Sequence, residues 1–338
     1  MDGREHYLYI LVFSILPFLG VVAAVFFLWN SLAGPSDMVA LVIMSIITGL
    51  GVSTGYHRLL SHRSFKTNRF IKIFFTAGGA MAGQGPPLIW VAHHRRHHRI
   101  ADKPGDPHSP WFEGEEGVRG AIKGLWHSHL GWLFDTKLTS DPVRYCPDLA
   151  RDKDIRFISR YFVAFVLGGI VLPGLIGFAL AGSVASFFTG MLWGGLVRMF
   201  VGNHVTYAVN SIGHYFGNRR FDTPDESRNV AWLSLISFGE SWHNNHHAFP
   251  RSANHDALVR GRPLGDHHPL HGADRHGVGR HPDRPGAPRA PAGWAREGRQ
   301  RPVRAVGAAD AARRTGPGRD EGLGRHWCCR CRMTSGSG

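Results

Sequence analysis

Met38-Val-Ala-Leu-Val-Ile-Met-Ser-Ile-Ile-Thr-Gly-Leu-Gly-Val-Ser-Thr-Gly-Tyr56-His57-Arg-Leu-Leu-Ser-His62 decides the reading of this chain. Met38–Tyr56 carries no charged side chain and is long enough to cross a hydrocarbon core about 30 Å thick. It runs directly into two histidines five apart. Two further boxes match them: His94-Arg-Arg-His97-His98 and His243-Asn-Asn-His246-His247, with His214 standing alone in Asn210-Ser-Ile-Gly-His214. Neutral imidazole is a common ligand for iron and zinc near neutral pH.

Working outward, three more runs are long and apolar enough to span, at about 7–29, 157–182 and 184–207. The connectors Asn30–Asp37 and Gly182-Ser183 carry no Lys or Arg, whereas Arg58, Arg63, Lys66, Arg69 and Lys72 follow the second run and Arg219 and Arg220 the fourth. The positive-inside rule then predicts four transmembrane helices with both termini, and all nine box histidines, on the cytosolic side. Phe70–Val91 is apolar but is broken by Lys72, Gln84, Pro86 and Pro87. If it crossed, the first two boxes would face opposite sides, so it reads as interfacial or re-entrant. The first run is too long for a cleaved signal peptide and reads as an anchor.

On a helix, positions i, i+3 and i+4 share a face, so each HxxHH box projects three imidazoles together. His57 and His62 diverge by about 140° on a regular helix; either they reach different metals or the span ends between them. Asn210 and His214, four apart, share a face, which makes Asn210 a direct or water-mediated ligand candidate. Nine imidazoles exceed what one four-coordinate zinc takes, and two ions with four or five nitrogens each fit the count. Iron suits oxygen chemistry. Asp102, Asp106 and Glu240 lie close enough in sequence to orient imidazoles from behind. His93, His108, His127, His129 and His204 fall outside the pattern and read as structural, Asp106-Pro-His108 as a turn. Arg198, inside the fourth span, is either functional or reaching polar neighbours within the bundle.

Gly55-Tyr-His-Arg-Leu-Leu-Ser-His62, Trp90-Val-Ala-His-His-Arg-Arg-His-His98, Gly105-Asp-Pro-His108, Gly131-Trp132, Asn210-Ser211 with His214, Gly217-Asn-Arg219 and Gly239-Glu-Ser-Trp-His-Asn-Asn-His-His-Ala-Phe-Pro250 together resemble the integral-membrane fatty acid desaturases of the acyl-CoA desaturase type. The resemblance covers about residues 7–253. It implies an all-α membrane protein, with four spanning helices under a cytosolic helical cap that holds a histidine-ligated di-iron centre. It also implies insertion of a cis double bond, usually delta-9, into a saturated acyl chain, with dioxygen and two electrons consumed and water formed. The ligands it implies are His57, His62, His94, His97, His98, His214, His243, His246 and His247, with Asn210 acting through water. It further implies a multi-pass protein of a bacterial cell membrane. A related di-iron hydroxylase of lipids or alkanes is the neighbouring reading.

No haem-binding cytochrome domain or flavin fingerprint is evident, so electrons are expected from a separate ferredoxin, flavin reductase or cytochrome. An anionic acyl-CoA head group would dock on basic residues such as Arg69, Lys72, Arg144, Arg151, Lys153 and Arg156. Of the formal net charge of +14, residues 254–338 supply +8, from 16 Arg and 8 acidic residues with no Lys. With over half the basic excess in that tail, it is no argument for nucleic acid, and no nucleic-acid partner is expected. The domain therefore reads as 1–253 and the rest as a low-complexity, disordered tail, ending in Cys328-Cys-Arg-Cys331, whose composition is that of a shifted reading frame in GC-rich DNA. A frameshift would leave every box intact but could leave the desaturase inactive. Resequencing checks it: a gene whose close relatives end in the same tail, in an intact frame, contradicts the frameshift.

Overall fold

The computed structural model describes residues 10, 14–29, 33–111, 117–135 and 138–255. All belong to one compact unit, Met1–Pro291; the second unit, Ala292–Gly338, lies outside the described residues. Apart from Asn254 and His255, so does the expected tail.

Every extended element among the described residues is helical; isolated bridges pair Asn229 with Asn218 and Trp242. In chain order the α-helices are α1 (Leu16–Trp29), α2 (Pro35–Leu50), α3 (Arg69–Met81), α4 (Pro87–Ile100), α5 (Gly117–His129), α6 (Pro142–Tyr145), α7 (Lys153–Arg160), α8 (Phe162–Ala181), α9 (Val184–Gly190), α10 (Arg198–Ser211), α11 (Ala231–Ile236) and α12 (His243–Ala248). Two π-helical stretches continue α-helices without a break: Gly51–Ser61 extends α2, and Met191–Val197 joins α9 to α10. Short 3-10 turns include Ile212–His214, which ends α10.

Three continuous helices are long and apolar enough to cross a membrane: Pro35–Ser61, Phe162–Ala181 and Val184–His214. The expected first span is described from residue 14 on, and its helix α1 has 14 residues. The expected third span begins later than its hydropathy indicates. Asp152 caps a separate helix, α7, through the backbone N–H groups of Asp154 and Ile155, and Tyr161 interrupts before α8. Phe70–Val91 divides into α3 and the start of α4, with Gly83 and Gly85 at positive φ between them.

The long helices turn large apolar side chains outward, among them Phe26, Val42, Leu167 and Phe188. Beside a buried cluster of Phe162, Val166, Ile170 and Met199, their closest approaches run through small residues. A Cβ on Gly51 would sit 2.1 Å from the Gly79 backbone nitrogen, and one on Gly177 2.3 Å from the Ser186 carbonyl oxygen. Such small-residue seams are how helices approach closely where hydrophobic driving force between them is absent. Arg198 is 4% exposed. Its guanidinium donates to the carbonyls of Gly194, Gly169 and Met81 and to Thr48 Oγ1, at 2.9–3.3 Å. It thereby ties α2, α3, α8 and the α9–α10 helix together, reaching polar neighbours inside the bundle.

The Gly51 seam aligns the π-helix that carries His57. We expect Gly51→Ala to overpack it and lower stability in detergent by about 1–3 kcal/mol. Gly168→Ala, where the only nearby atom is the flexible Met81 tip at 3.8 Å, is expected to leave stability unchanged. Thermal unfolding of the two variants checks this; equal melting points would contradict the seam.

Candidate metal centre

The π-helix resolves the spacing of the first box. An i→i+5 ladder is wider than an α-turn, so residues five apart come to lie nearly over one another. The His62 N–H accordingly bonds the His57 carbonyl, and the two rings lie 4.9 Å apart in one cluster instead of diverging.

The second box rides on α4, which Pro87 starts at its first position, where a missing N–H costs nothing. The third box is α12, a six-residue helix held by its two asparagines. Asn244 Oδ1 accepts from the N–H groups of Arg220 and Phe221, and its Nδ2 donates to the Phe221 carbonyl. Asn229 Nδ2 donates to Asn245 Oδ1, and the Asn245 N–H to Asn229 Oδ1. The π-helical end of Pro35–Ser61 and the His214 end of Val184–His214 meet these boxes at one end of the bundle.

Nine imidazoles converge in two groups that could each hold a metal ion: His57, His62, His94, His98 and His246; and His97, His214, His243 and His247. Each HxxHH box is divided between the groups. Adjacent residues point about 100° apart on a helix, so His97 and His98 face different centres, as do His246 and His247. Within the groups Nε2 faces Nε2: His62–His94 at 2.7 Å, His98–His246 at 2.9 Å, His57–His246 and His214–His243 at 3.0 Å, His243–His247 at 3.1 Å. In the four-histidine group, His97 and His247 are also 3.3 Å apart.

Carboxylates lie behind four of these rings. Nδ1 of His97 contacts Asp106 at 2.9 Å, that of His214 contacts Asp102 at 2.8 Å, that of His247 contacts Asp225 at 2.9 Å, and His57 pairs with Glu240. A carboxylate accepting from Nδ1–H fixes the tautomer and leaves the Nε2 lone pair free. Burial alone would raise these acids, but the imidazoles beside them prevail: the His214 ring holds Asp102 at about 2, and His57 with Arg58 holds Glu240 at about 2. Asp106 and Asp225 are likewise held below the usual carboxylate range. Burial pushes His94, His98, His243 and His246 well below the ordinary histidine value, so they are neutral and present lone pairs. Asp102 also adopts a left-handed backbone, φ 58°, unusual for a residue other than glycine. Its carboxylate accepts from Ser109 Oγ and the Glu226 N–H as well as facing His214, which holds the conformation.

Facing lone pairs repel unless a cation lies between them, so this donor set fits metal. Its nitrogen-only character suits a transition ion. Asp106 also closes the turn that Asp106-Pro-His108 was expected to form, accepting from the His108 N–H. The remaining histidines stand apart from the two groups. His108 packs beside His97, with which it and Asp106 form a third cluster of donor atoms, and the His93 ring nitrogen meets Ser140. His129 bridges His204 and Ser211, and His127 is buried in α5. Asp225 and His255, which meets His246 Nδ1, were missed in the sequence; the demand of a buried imidazole for a partner on its second nitrogen is the signal that finds them.

A cavity of about 480 Å³ reaches these groups. Its lining runs from Met38 and Leu41 on α2, past Ser45 and Thr48, to His57, His94 and His243, with Asn210 at the same end. None of Arg69, Lys72, Arg144, Arg151, Lys153 and Arg156 lines it. All but the half-buried Lys72 are exposed, Arg69 pairs with Asp154, and Lys72 pairs with Asp152 and Asp154.

Asp225→Asn keeps the shape beside His247 but removes the negative charge and replaces one acceptor oxygen by a donor. We expect the affinity of the four-histidine group for metal to fall about 10–100-fold, read by chelator competition on purified protein. Unchanged metal retention would contradict the role of the carboxylates.

A sequence profile of the family described as fatty acid desaturase matches residues 35–284. The chain is 41% identical over 244 residues to a hex-5-enoyl-[acyl-carrier protein] acetylenase of Moorena producens (strain JHB), covering 72% of this chain and 76% of that protein. It is 37% identical over 242 residues to an sn-1 stearoyl-lipid 9-desaturase of Anabaena variabilis (70% and 81%), and 41% identical over 242 residues to Delta-9 acyl-lipid desaturase 1 of Arabidopsis thaliana (70% and 70%). With the profile spanning most of its length and the relatives covered over more than two thirds, the chain belongs to the fatty acid desaturase family.

Proposed function

We propose that this protein is an oxygen-dependent desaturase that inserts a cis double bond, at delta-9, into a saturated fatty acyl chain. The observation that carries the proposal is the apolar cavity ending on two groups of converging imidazoles. His57, His62, His94, His98 and His246 would hold one iron, and His97, His214, His243 and His247 the other, with Asn210 reaching its iron through water. Iron bound there would supply the oxidant that an unactivated C–H bond requires. Overall, two hydrogens leave neighbouring carbons and, with dioxygen, two electrons and two protons, give two waters.

The protein's own groups do the positioning. Asp102, Asp106, Asp225 and Glu240 keep four imidazoles in the tautomer that presents Nε2. Met38 and His57 bracket the cavity along one helix, on the order of 25 Å apart at about 1.5 Å per residue. A chain seated with its methyl end near Met38 and Leu41 is thereby fixed in register against the histidines, and the apolar walls keep bulk water away. An acyl thioester, acyl-CoA in the first instance, would place its anionic head group on the exposed basic side chains of α3, α6 and α7. Four spanning helices with the site on the cytosolic face of a bacterial membrane, and a separate ferredoxin, flavin reductase or cytochrome as donor, complete the reading.

Expression in a host lacking its own desaturase, with fatty acid profiling, tests it. We expect new cis delta-9 monounsaturated acids that disappear in His94→Ala at equal protein level. No product from well-expressed protein supplied with a reductase, or hydroxylated chains, would contradict the reading. In the same assay Leu41→Trp, filling the end of the cavity away from the histidines, is expected to shift product toward shorter chains. An unchanged chain-length profile would remove the cavity from the account.

A further inference from the structure

We propose that His255 is the positioning residue of His246, and through it of the five-histidine group. Four imidazoles of the site place Nδ1 on a carboxylate, whereas His246 places its Nδ1 on another imidazole. Its Nδ1 lies 3.2 Å from His255 Nε2, and the two rings are 4.6 Å apart. His246 is also the hub of its group, with Nε2 at 3.0 Å from His57 and 2.9 Å from His98. A rotation of this one ring would disturb both contacts.

His255 is built in. It is 2% exposed, although the sequence around it is the start of the Arg-rich tail. The chain leaves α12 and folds back: the Ser252 N–H bonds the Phe249 carbonyl, and the Asn254 N–H bonds Ser252 Oγ. Asn245 Nδ2 then donates to the His255 carbonyl at 2.9 Å, so the asparagine of the third box that Asn229 braces also clamps this backbone. A buried polar ring needs a partner, and that partner is a proposed ligand. Metal on His246 Nε2 would assign the roles: His246 then donates from Nδ1–H and His255 Nε2 accepts. Glu240 already lies beside His57 in this half of the site. A neutral acceptor at 255 fixes the tautomer without a second negative charge there.

The inference rests on the metal-holding reading above. The test uses the full-length protein purified in detergent, with iron per chain measured by mass spectrometry alongside the melting temperature. His255→Leu fills the space without accepting a hydrogen bond, whereas His255→Gln keeps an acceptor at similar reach. We expect wild type to hold about two irons and His255→Leu about one, with His255→Gln close to wild type and similar melting of the iron-free proteins. Two irons in His255→Leu overturn the inference and leave the desaturase reading standing. Equal loss in both variants, or loss that follows a collapse in melting temperature, makes His255 a packing residue and also overturns it. Wild type that binds no transition metal overturns both.

Discussion

Nine imidazoles whose ring nitrogens face one another at hydrogen-bonding distance are the constraint on which the rest of this fold depends. Two lone pairs opposed at about 3 Å repel, and burial removes the water that would screen them. Cations between the nitrogens would relieve that repulsion, and the surrounding structure holds the rings in an arrangement that could take them. The carboxylates fix tautomers from behind, Asn244 and Asn245 pin the short helix of the third box, and Asp102 accepts an unfavourable backbone conformation to stay under His214.

The membrane part answers a different constraint and joins the first at the π-helix. Outward apolar faces suit lipid, while glycine seams and the Arg198 clamp provide the cohesion that hydrophobic burial cannot. The cavity is what remains between α2 and the α9–α10 helix once those seams are drawn tight. The same helix that bounds the cavity therefore also delivers His57, so the cavity and the histidine groups are positioned together.

The composition of the site was legible because it is written in local spacing. HxxHH on a helix projects imidazoles, and long uncharged runs report membrane-length helices. The division of each box between two groups was not legible as three imidazoles on one face; it follows from the 100° step between adjacent residues such as His97 and His98. The convergence of His57 and His62 was hidden because it needs π-helical winding, for which the string Gly51–Ser61 has no local code. Asp225 and His255 were hidden for another reason. They reach their ligands across 22 and 9 residues of irregular chain, where no period connects them. Expected span boundaries failed where a cap or a winding change overrode hydropathy, as at Asp152 and Ser61.

X-ray absorption at the iron edge of the purified, iron-loaded protein tests the central claim most directly. The account predicts two irons per chain, each with a shell of four or five imidazole nitrogens completed at most by water. A shell containing protein carboxylate oxygens would mean that Asp102, Asp106, Asp225 or Glu240 are ligands instead of supports. That result would contradict the account.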